Sequence, residues 1–225
     1  PKQTIQAAIN AAEDGSTIIV YPSTYFENLN IQAKSIQLTC LDPEDANVVE
    51  ATIIDGGGGD TVLKIFDANA VIDGFTIRNG LAENGGGVFC YGSAIKLLNC
   101  RIIANLTVDG KNDSHTMPPT DGGNGGGIYC SFSRAILNKC IVGENTTGSG
   151  GGVLYFARGG NGGSGAGIYC TSDSFIVLED CEIFENTAGN GGRGIEGHGS
   201  GGHGGNAGGI YCSSANISRC LVQNN

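Results

Sequence analysis

The sequence has no tryptophan, only 12 lysines and arginines, and no apolar run long enough to cross a bilayer. With a formal net charge of −10, the shortage of basic residues argues against nucleic acid and against an anionic membrane surface as partners, because both need positive patches. It disfavours a polyanionic polymer as well, unless a cation bridges the two. No Gly-X-Y period runs through the 40 glycines, which excludes collagen. Disorder is a poor reading, because 40% of residues are hydrophobic and the apolar segments recur in order. No signal-peptide pattern opens the chain, and it starts at Pro1 without an initiator Met, as expected of a mature or trimmed form.

What is present is a repeat. Four segments align without gaps around Cys100, Cys140, Cys181 and Cys220. Three residues before each cysteine stands Leu97, Leu137, Leu178 or Ile217, and two after it Ile102, Val142, Ile183 or Val222. Five after it stands Asn105, Asn145, Asn186 or Asn225. A glycine-rich strand start precedes each segment and ends in Cys90, Cys130, Cys170 or Cys212, at steps of 40, 40 and 42 residues. Short strands with alternating apolar residues cannot bury an inner face alone. Stacked at the strand spacing of roughly 4.8 Å, each copy gains a neighbour above and below, and like residues form columns. An asparagine column at a turn can pass side-chain hydrogen bonds from rung to rung. The expectation is an all-β chain, a single-stranded parallel β-helix. A propeller of similar period needs four strands per repeat and aromatic-Asp signatures, which are missing.

The whole of 1–225 reads as one domain. Residues 1–15 form an N-terminal cap, with a short amphipathic helix whose stripe is Ile5, Ala8, Ile9 and Ala12. Residues 16–84 make two to three irregular rungs, and 85–225 the regular ones. Glycine-rich insertions at about 106–124, 146–164 and 187–206 all leave the same corner, after the asparagine column, so they should share one face, often the functional one in a solenoid. No matching cap follows Asn225, so either a longer solenoid or a partner meeting the last rung is expected.

Thr4–Ile31 is similar to the entry of many pectinesterase and β-helix domains. Val71-Ile-Asp-Gly-Phe-Thr-Ile-Arg-Asn-Gly80 and the Gly-Gly-Ile-Tyr-Cys repeats resemble right-handed parallel β-helix repeats of large bacterial surface and secreted proteins. The likeness to this pectin-lyase-like superfamily covers nearly the whole chain. It implies a right-handed coil, but it spans lyases, hydrolases, esterases, adhesins and structural modules, so it does not fix an activity. The paired Asp, Gln and Arg of pectinesterases are missing, as is the Arg-x-Pro-x-x-Arg run of pectate lyases. Of the polygalacturonase set only Gly197-His198-Gly199 matches, inside a stretch where glycine makes chance matches common.

Several residues are candidate sites. The two cysteine columns are either buried ladders of thiols acting as small apolar residues or disulfides within each rung, closing loops of about ten residues; Cys40 is a core residue. The nine cysteines are many for a cytosolic protein and point to an oxidising compartment. Asn105, Asn112, Asn145 and Asn216 begin Asn-x-Ser/Thr sequons. His198 and His203 read as metal ligands or as solvated loop residues. Asp55-Gly-Gly-Gly-Gly-Asp60 and Asp121-Gly-Gly-Asn124 read as Ca²⁺ loops or as plain turns, and no other cofactor is expected. Tyr155, Phe156, Arg158, Arg193, His198 and His203 mark a ligand or partner face on the insertions. Asp109, Asp113, His115 and Glu196 join these among the ionisable candidates for an enzyme. The expected function is a non-catalytic extracellular or cell-surface module, structural or adhesive, that self-associates into filaments, layers or a larger surface assembly. The alternatives are a polysaccharide-active enzyme and a carbohydrate-binding module.

Overall fold

The computed structural model describes residues 4–114, 117–154, 158–194 and 199–225. Helix α1 (Ile5–Ala11) begins where the Thr4 hydroxyl accepts the Ala7 N–H, an N-cap that satisfies one of the first-turn donors. The Glu27 carboxylate accepts the Ile5 and Gln6 N–H groups, and Lys34 Nζ donates to the Ile9, Asn10 and Ala12 carbonyls at the other end. Both helix ends are thus tied to the first turns of the sheets, and Ile5 and Ile9 are buried against the core.

The chain then passes repeatedly through three parallel sheets in fixed order. The first sheet stacks Thr17–Val20, Ser35–Cys40, Asn69–Asp73, Ala94–Leu98, Arg134–Asn138, Phe175–Glu179 and Ala215–Ser218. The second stacks Ser23–Phe26, Thr52–Asp55, Thr76–Arg78, Arg101–Ile103, Ile141–Gly143, Glu182–Phe184 and Leu221–Gln223. The third stacks Leu29–Gln32, Leu63–Phe66, Val88–Tyr91, Ile128–Ser131, Ile168–Cys170 and Ile210–Tyr211. Each strand pairs with those one turn earlier and later in sequence, an all-β arrangement consistent with a β-helix-like solenoid.

Register follows the buried alternation. In the first sheet Leu38, Ile72, Leu97, Leu137 and Leu178 stack in one column and are fully buried. In the second, Ile54, Ile77, Ile102, Val142 and Ile183 do the same. A slip of one residue would turn a whole column to solvent, so the pattern fixes the pairing. Each such side chain contributes roughly 1.5–3 kcal/mol through burial. The inward residues of the last rung are less covered, with Ile217 and Val222 about half exposed.

Two local features differ from the sequence reading. The run Val71–Asn79, which reads as one strand, turns a corner at Gly74 (φ +79°), where a Cβ would lie 2.5 Å from Cys40 Sγ. A second helix, α2 (Ala46–Ala51), stands between the first and second sheets, capped by the Asp45 carboxylate on the Asn47 N–H. Lys139–Glu44 (3.1 Å) and Arg101–Glu50 (3.4 Å) hold its ends against later rungs.

Candidate functional site

The insertions at 106–124, 146–164 and 187–206 all leave the corner between the second and third sheets. Their outer parts form no ordinary strands, yet they are stacked layer on layer by backbone hydrogen bonds. Gly110 N–H donates to Ser149 O (2.7 Å), Gly150 to Asn190 O (2.8 Å) and Gly162 to His203 O (2.8 Å). Bonds also run between outgoing and returning arms: Gly151 to Thr120 O, Gly160 to Gly151 O, Gly192 to Gly160 O and Gly202 to Gly192 O. Neighbouring N–H groups, such as those of Gly150 and Gly151, therefore point to different strands of chain. That pattern, with side chains recurring every third residue, is the spacing of a polyproline II-type helix, whose backbone makes no internal hydrogen bonds.

The glycine content follows from this packing. A Cβ on Gly163 would overlap the Gly123 carbonyl, one on Gly148 the Val108 carbonyl, and one on Gly202 the Gly160 carbonyl. Backbone lies directly on backbone at these positions, so only glycine fits them.

Side chains remain on the outside, in columns. Asp121, Asn161 and His203 form one: Asp121 Oδ1 accepts the Asn161 N–H (2.6 Å), and Asn161 Oδ1 accepts the His203 N–H (3.1 Å). Asn84, Asn124, Ser164 and Asn206 form the next, the side-chain oxygen of each of the first three accepting the N–H one layer on. Asp109 Oδ1 accepts the Ser149 N–H, and Asn112 Oδ1 the Gly152 N–H. The asparagine and aspartate side chains thus finish the hydrogen bonding of a backbone that the glycines have brought together.

The predicted face divides between two grooves. His203 lines one of about 360 Å³ with Asp121, Asn161 and Asn206. Arg193 lines another of about 580 Å³ with Asn112, Ser149, Leu154 and Asn190. Arg158 donates to Asn161 Oδ1 (3.2 Å). Tyr155, Phe156, His115, Glu196 and His198 lie outside the described residues, and with them the Gly-His-Gly match. Of the two proposed Ca²⁺ turns, Asp55 accepts from Arg78 Nε (2.9 Å), Asn79 Nδ2 (2.8 Å) and Gly57 N–H. Asp60 accepts from Lys64 Nζ (2.6 Å) and Thr61 N–H, and Asp121 and Asn124 are engaged as above. Burial opposes charge on Asp55, but the Gly57 N–H, Arg78 and Asn79 together hold its carboxyl below the usual range.

At the root of the insertions Asn105, Asn145, Asn186 and Asn225 form a continuous chain. Nδ2 of each of the first three donates to Oδ1 of the next, at 3.1, 2.9 and 2.8 Å, and the same Oδ1 accepts the backbone N–H below it. Asn105 and Asn145 are fully buried.

The cysteines are free thiols. Cys90, Cys130 and Cys170 continue the inward column of Ile31 and Ile65 in the third sheet, with Cys90 and Cys130 sulfurs 2.9 Å apart. Cys100, Cys140 and Cys181 fill the corner between the first and second sheets, with sulfurs close to the Leu97, Leu98 and Leu137 carbonyls. Cysteine thus occupies positions held in earlier rungs by isoleucine in the third sheet and by the buried Phe75 at the corner. Hydrogen bonds within the first column push Cys130 and Cys212 up and draw Cys170 down, and burial pushes Cys140 up.

An outward ladder escaped the sequence reading. Phe89, Tyr129, Tyr169 and Tyr211 stack on the third sheet with centroids 5.1–5.2 Å apart, and Phe66 tilts against Phe89 at 5.6 Å. The signal was the aromatic residue just before each cysteine of the strand starts. At its foot a groove of about 440 Å³ is lined by Asp60, Lys64, Phe66, Glu83, Asn84 and Phe89. The chain matches no protein-family model and no curated protein sequence.

Proposed function

We propose that this chain is a right-handed parallel β-helix of the pectin-lyase-like kind that serves as a non-catalytic structural or adhesive module outside the cell. Right-handedness rests on the general rule for parallel crossovers and on the sequence resemblance. The observation that carries the functional reading is the glycine extension. Its Asp109 and Asp121 carboxylates and its Asn112, Asn124 and Asn161 amides accept its own backbone N–H groups, and much of its interior is backbone packed on backbone. Such a slab is a rigid scaffold that presents repeated polar columns, which suits many weak, equivalent contacts with a repetitive surface or with further copies of itself. The extracellular placement rests on the resemblance alone, because free thiols shielded in a core are compatible with either redox compartment.

The test uses the whole chain. Negative-stain microscopy and light scattering follow assembly, and retention on cell-wall polysaccharide is measured alongside polymer chain length. Ordered assemblies, or retention with chain length unchanged, support the module. Release of new chain ends from the polymer overturns it.

A second reading, carbohydrate binding or turnover, is favoured by one feature. The groove at the foot of the aromatic ladder combines Phe66 and Phe89 with Asp60, Glu83 and Lys64, a mixture of apolar and polar groups suited to a sugar ring. Substitution of Phe89 would abolish retention under this reading and leave assembly intact.

A further inference from the structure

The chain contains five Asn-Gly steps: Asn79-Gly80, Asn84-Gly85, Asn124-Gly125, Asn161-Gly162 and Asn190-Gly191. Such a step is the peptide sequence most open to cyclisation, because glycine leaves its own nitrogen unhindered beside the asparagine amide. The reaction needs two freedoms. The asparagine side chain must swing over the following peptide, and that peptide nitrogen must be free to attack.

In four of the five steps both are held. Asn79 Nδ2 donates to Asp55 Oδ2, and Gly80 N–H donates to Asn105 Oδ1 (2.9 Å). Asn84 Oδ1 accepts the Asn124 N–H, and Gly85 N–H donates to Asn124 O (3.1 Å). Asn124 Oδ1 accepts the Ser164 N–H, and Gly125 N–H donates to Ser164 O (3.1 Å). Asn161 Oδ1 accepts the His203 N–H, and Gly162 N–H donates to His203 O (2.8 Å). The five Asp-Gly steps show the same protection of the nitrogen: Gly15, Gly56, Gly74, Gly110 and Gly122 all donate to backbone carbonyls. Asn190-Gly191 stands apart. Its side chain is exposed and has no partner among the described residues, and neither has the Gly191 N–H. Only the Asn190 carbonyl is held, by Gly150 N–H (2.8 Å).

We propose that Asn190 is a site of spontaneous covalent modification in the folded protein. The Gly191 nitrogen, losing its proton, attacks Asn190 Cγ. The N–Cγ bond forms as the Cγ–Nδ2 bond breaks, and ammonia leaves carrying that proton. Water then opens the cyclic imide at either carbonyl, giving aspartate or isoaspartate. No oxidation or reduction is involved, and water is the only co-reactant. The product places a carboxylate in the groove that Arg193 also lines, where that guanidinium has no acidic partner among the described residues. Formation of isoaspartate also lengthens the outgoing arm's backbone by one methylene, which shifts the register of every contact beyond it.

The experiment is incubation of the whole folded chain in mildly alkaline buffer. Peptide mass mapping and isoaspartyl methyltransferase labelling then read all five steps at once. Conversion at Asn190 should run about tenfold or more faster than at Asn124 or Asn161, since those must first open locally. In denaturant the five rates should converge, which shows that the fold, not the neighbouring sequence, sets the difference. Equal rates at Asn190, Asn124 and Asn161 in the folded chain would overturn the proposal. So would an Asn190 that stays intact while its denatured counterpart converts.

Discussion

The asparagine column offers a direct measure of what holds the insertion corner. Replacing Asn145 by alanine removes an Oδ1 that accepts from the Asn105 N–H (3.0 Å) and Asn105 Nδ2 (3.1 Å). It also removes an Nδ2 that donates to Ile102 O (3.0 Å) and Asn186 Oδ1 (2.9 Å). Asn105 Nδ2 keeps the Ile77 and Ile103 carbonyls. The Asn105 N–H is left buried and unpaired, at a cost of about 1–3 kcal/mol, and the Ile102 carbonyl, in a strand paired with Ile141–Gly143, loses its side-chain donor. With that donor unpaired, the other bonds lost and a cavity left, the expected loss for Asn145→Ala is about 2–4 kcal/mol. Asn225→Ala makes the same chemical change where solvent can replace the lost partners, and should cost about 1 kcal/mol. Asn145→Asp keeps the shape and the acceptor but loses the donor. Its carboxyl is buried facing the Ile102 carbonyl, so its folded pKa is raised, and the variant should become progressively less stable as pH rises above the unfolded value of about 3.9. Urea unfolding of the three variants, followed by circular dichroism and tyrosine fluorescence, reads all of this. A loss for Asn145→Ala no larger than for Asn225→Ala, or an Asn145→Asp penalty that does not change with pH, would refute the assignment of this column as the corner's main tie.

Three further outcomes test other parts of the fold. Gly163→Ala should lose amide protection at Gly160, Gly162 and Gly163 and cost about 1–3 kcal/mol, because its Cβ meets the Gly123 carbonyl. Gly204→Ala, whose nearest neighbour would be 3.9 Å away, should be neutral by the same hydrogen-exchange measurement. Alkylation of the native chain should label the half-buried Cys212 and Cys220 first and the seven buried cysteines only on unfolding, and uniform labelling would contradict the buried columns. Asp55→Asn should cost about 1–3 kcal/mol at neutral pH, since Asp55 is held by Arg78, Asn79 and Gly57. A lowered folded pKa means that this contribution is present above the ordinary aspartate value and is lost as pH falls through the lowered one. The gap between wild type and variant should therefore narrow as pH falls below the ordinary aspartate range.

Parallel stacking was legible in the sequence because a solenoid writes its contacts as columns: Leu97, Leu137 and Leu178 recur at fixed steps and meet in register. The short cap was legible from the apolar stripe that Ile5 and Ile9 place on α1. Other elements left no such mark. Ser23–Phe26 has no buried residue, so alternation could not reveal it. Helix α2 occurs once, and its one buried residue, Val49, gives no period. The corner at Gly74 was hidden because apolar alternation runs through Ile72, Phe75 and Ile77 as if the strand were continuous. At the candidate site, long glycine-rich insertions read as irregular loops under a search for periods of two and 3.6. The informative period was three, carried by Asn161 and Ser164 on one arm and by Ser200, His203 and Asn206 on another.

That difference of period separates two solutions to one problem. Both parts of the chain stack layers by backbone hydrogen bonds. In the sheets, side chains alternate across the backbone, so half can fill a core and columns of leucine, isoleucine and cysteine hold the layers together. In the extension, chain lies against chain on more than one side, and most glycines inside have no room for a side chain, although Val153 is buried there. Cohesion there comes from the N–H groups themselves and from the short asparagine, aspartate and serine side chains that accept the remaining donors at the surface. Tolerance to substitution should therefore change period along the chain. Alanine scanning scored by amide exchange should find alternate positions sensitive within Arg134–Asn138, where burial alternates. Through 158–165 it should find Asn161 and Ser164, which each lose one exposed acceptor, less sensitive than the glycine pairs beside them, because Gly160, Gly162 and Gly163 abut the carbonyls of Thr120, Gly189 and Gly123. A two-residue pattern in the extension, or none, would show that its glycines serve flexibility and not close packing.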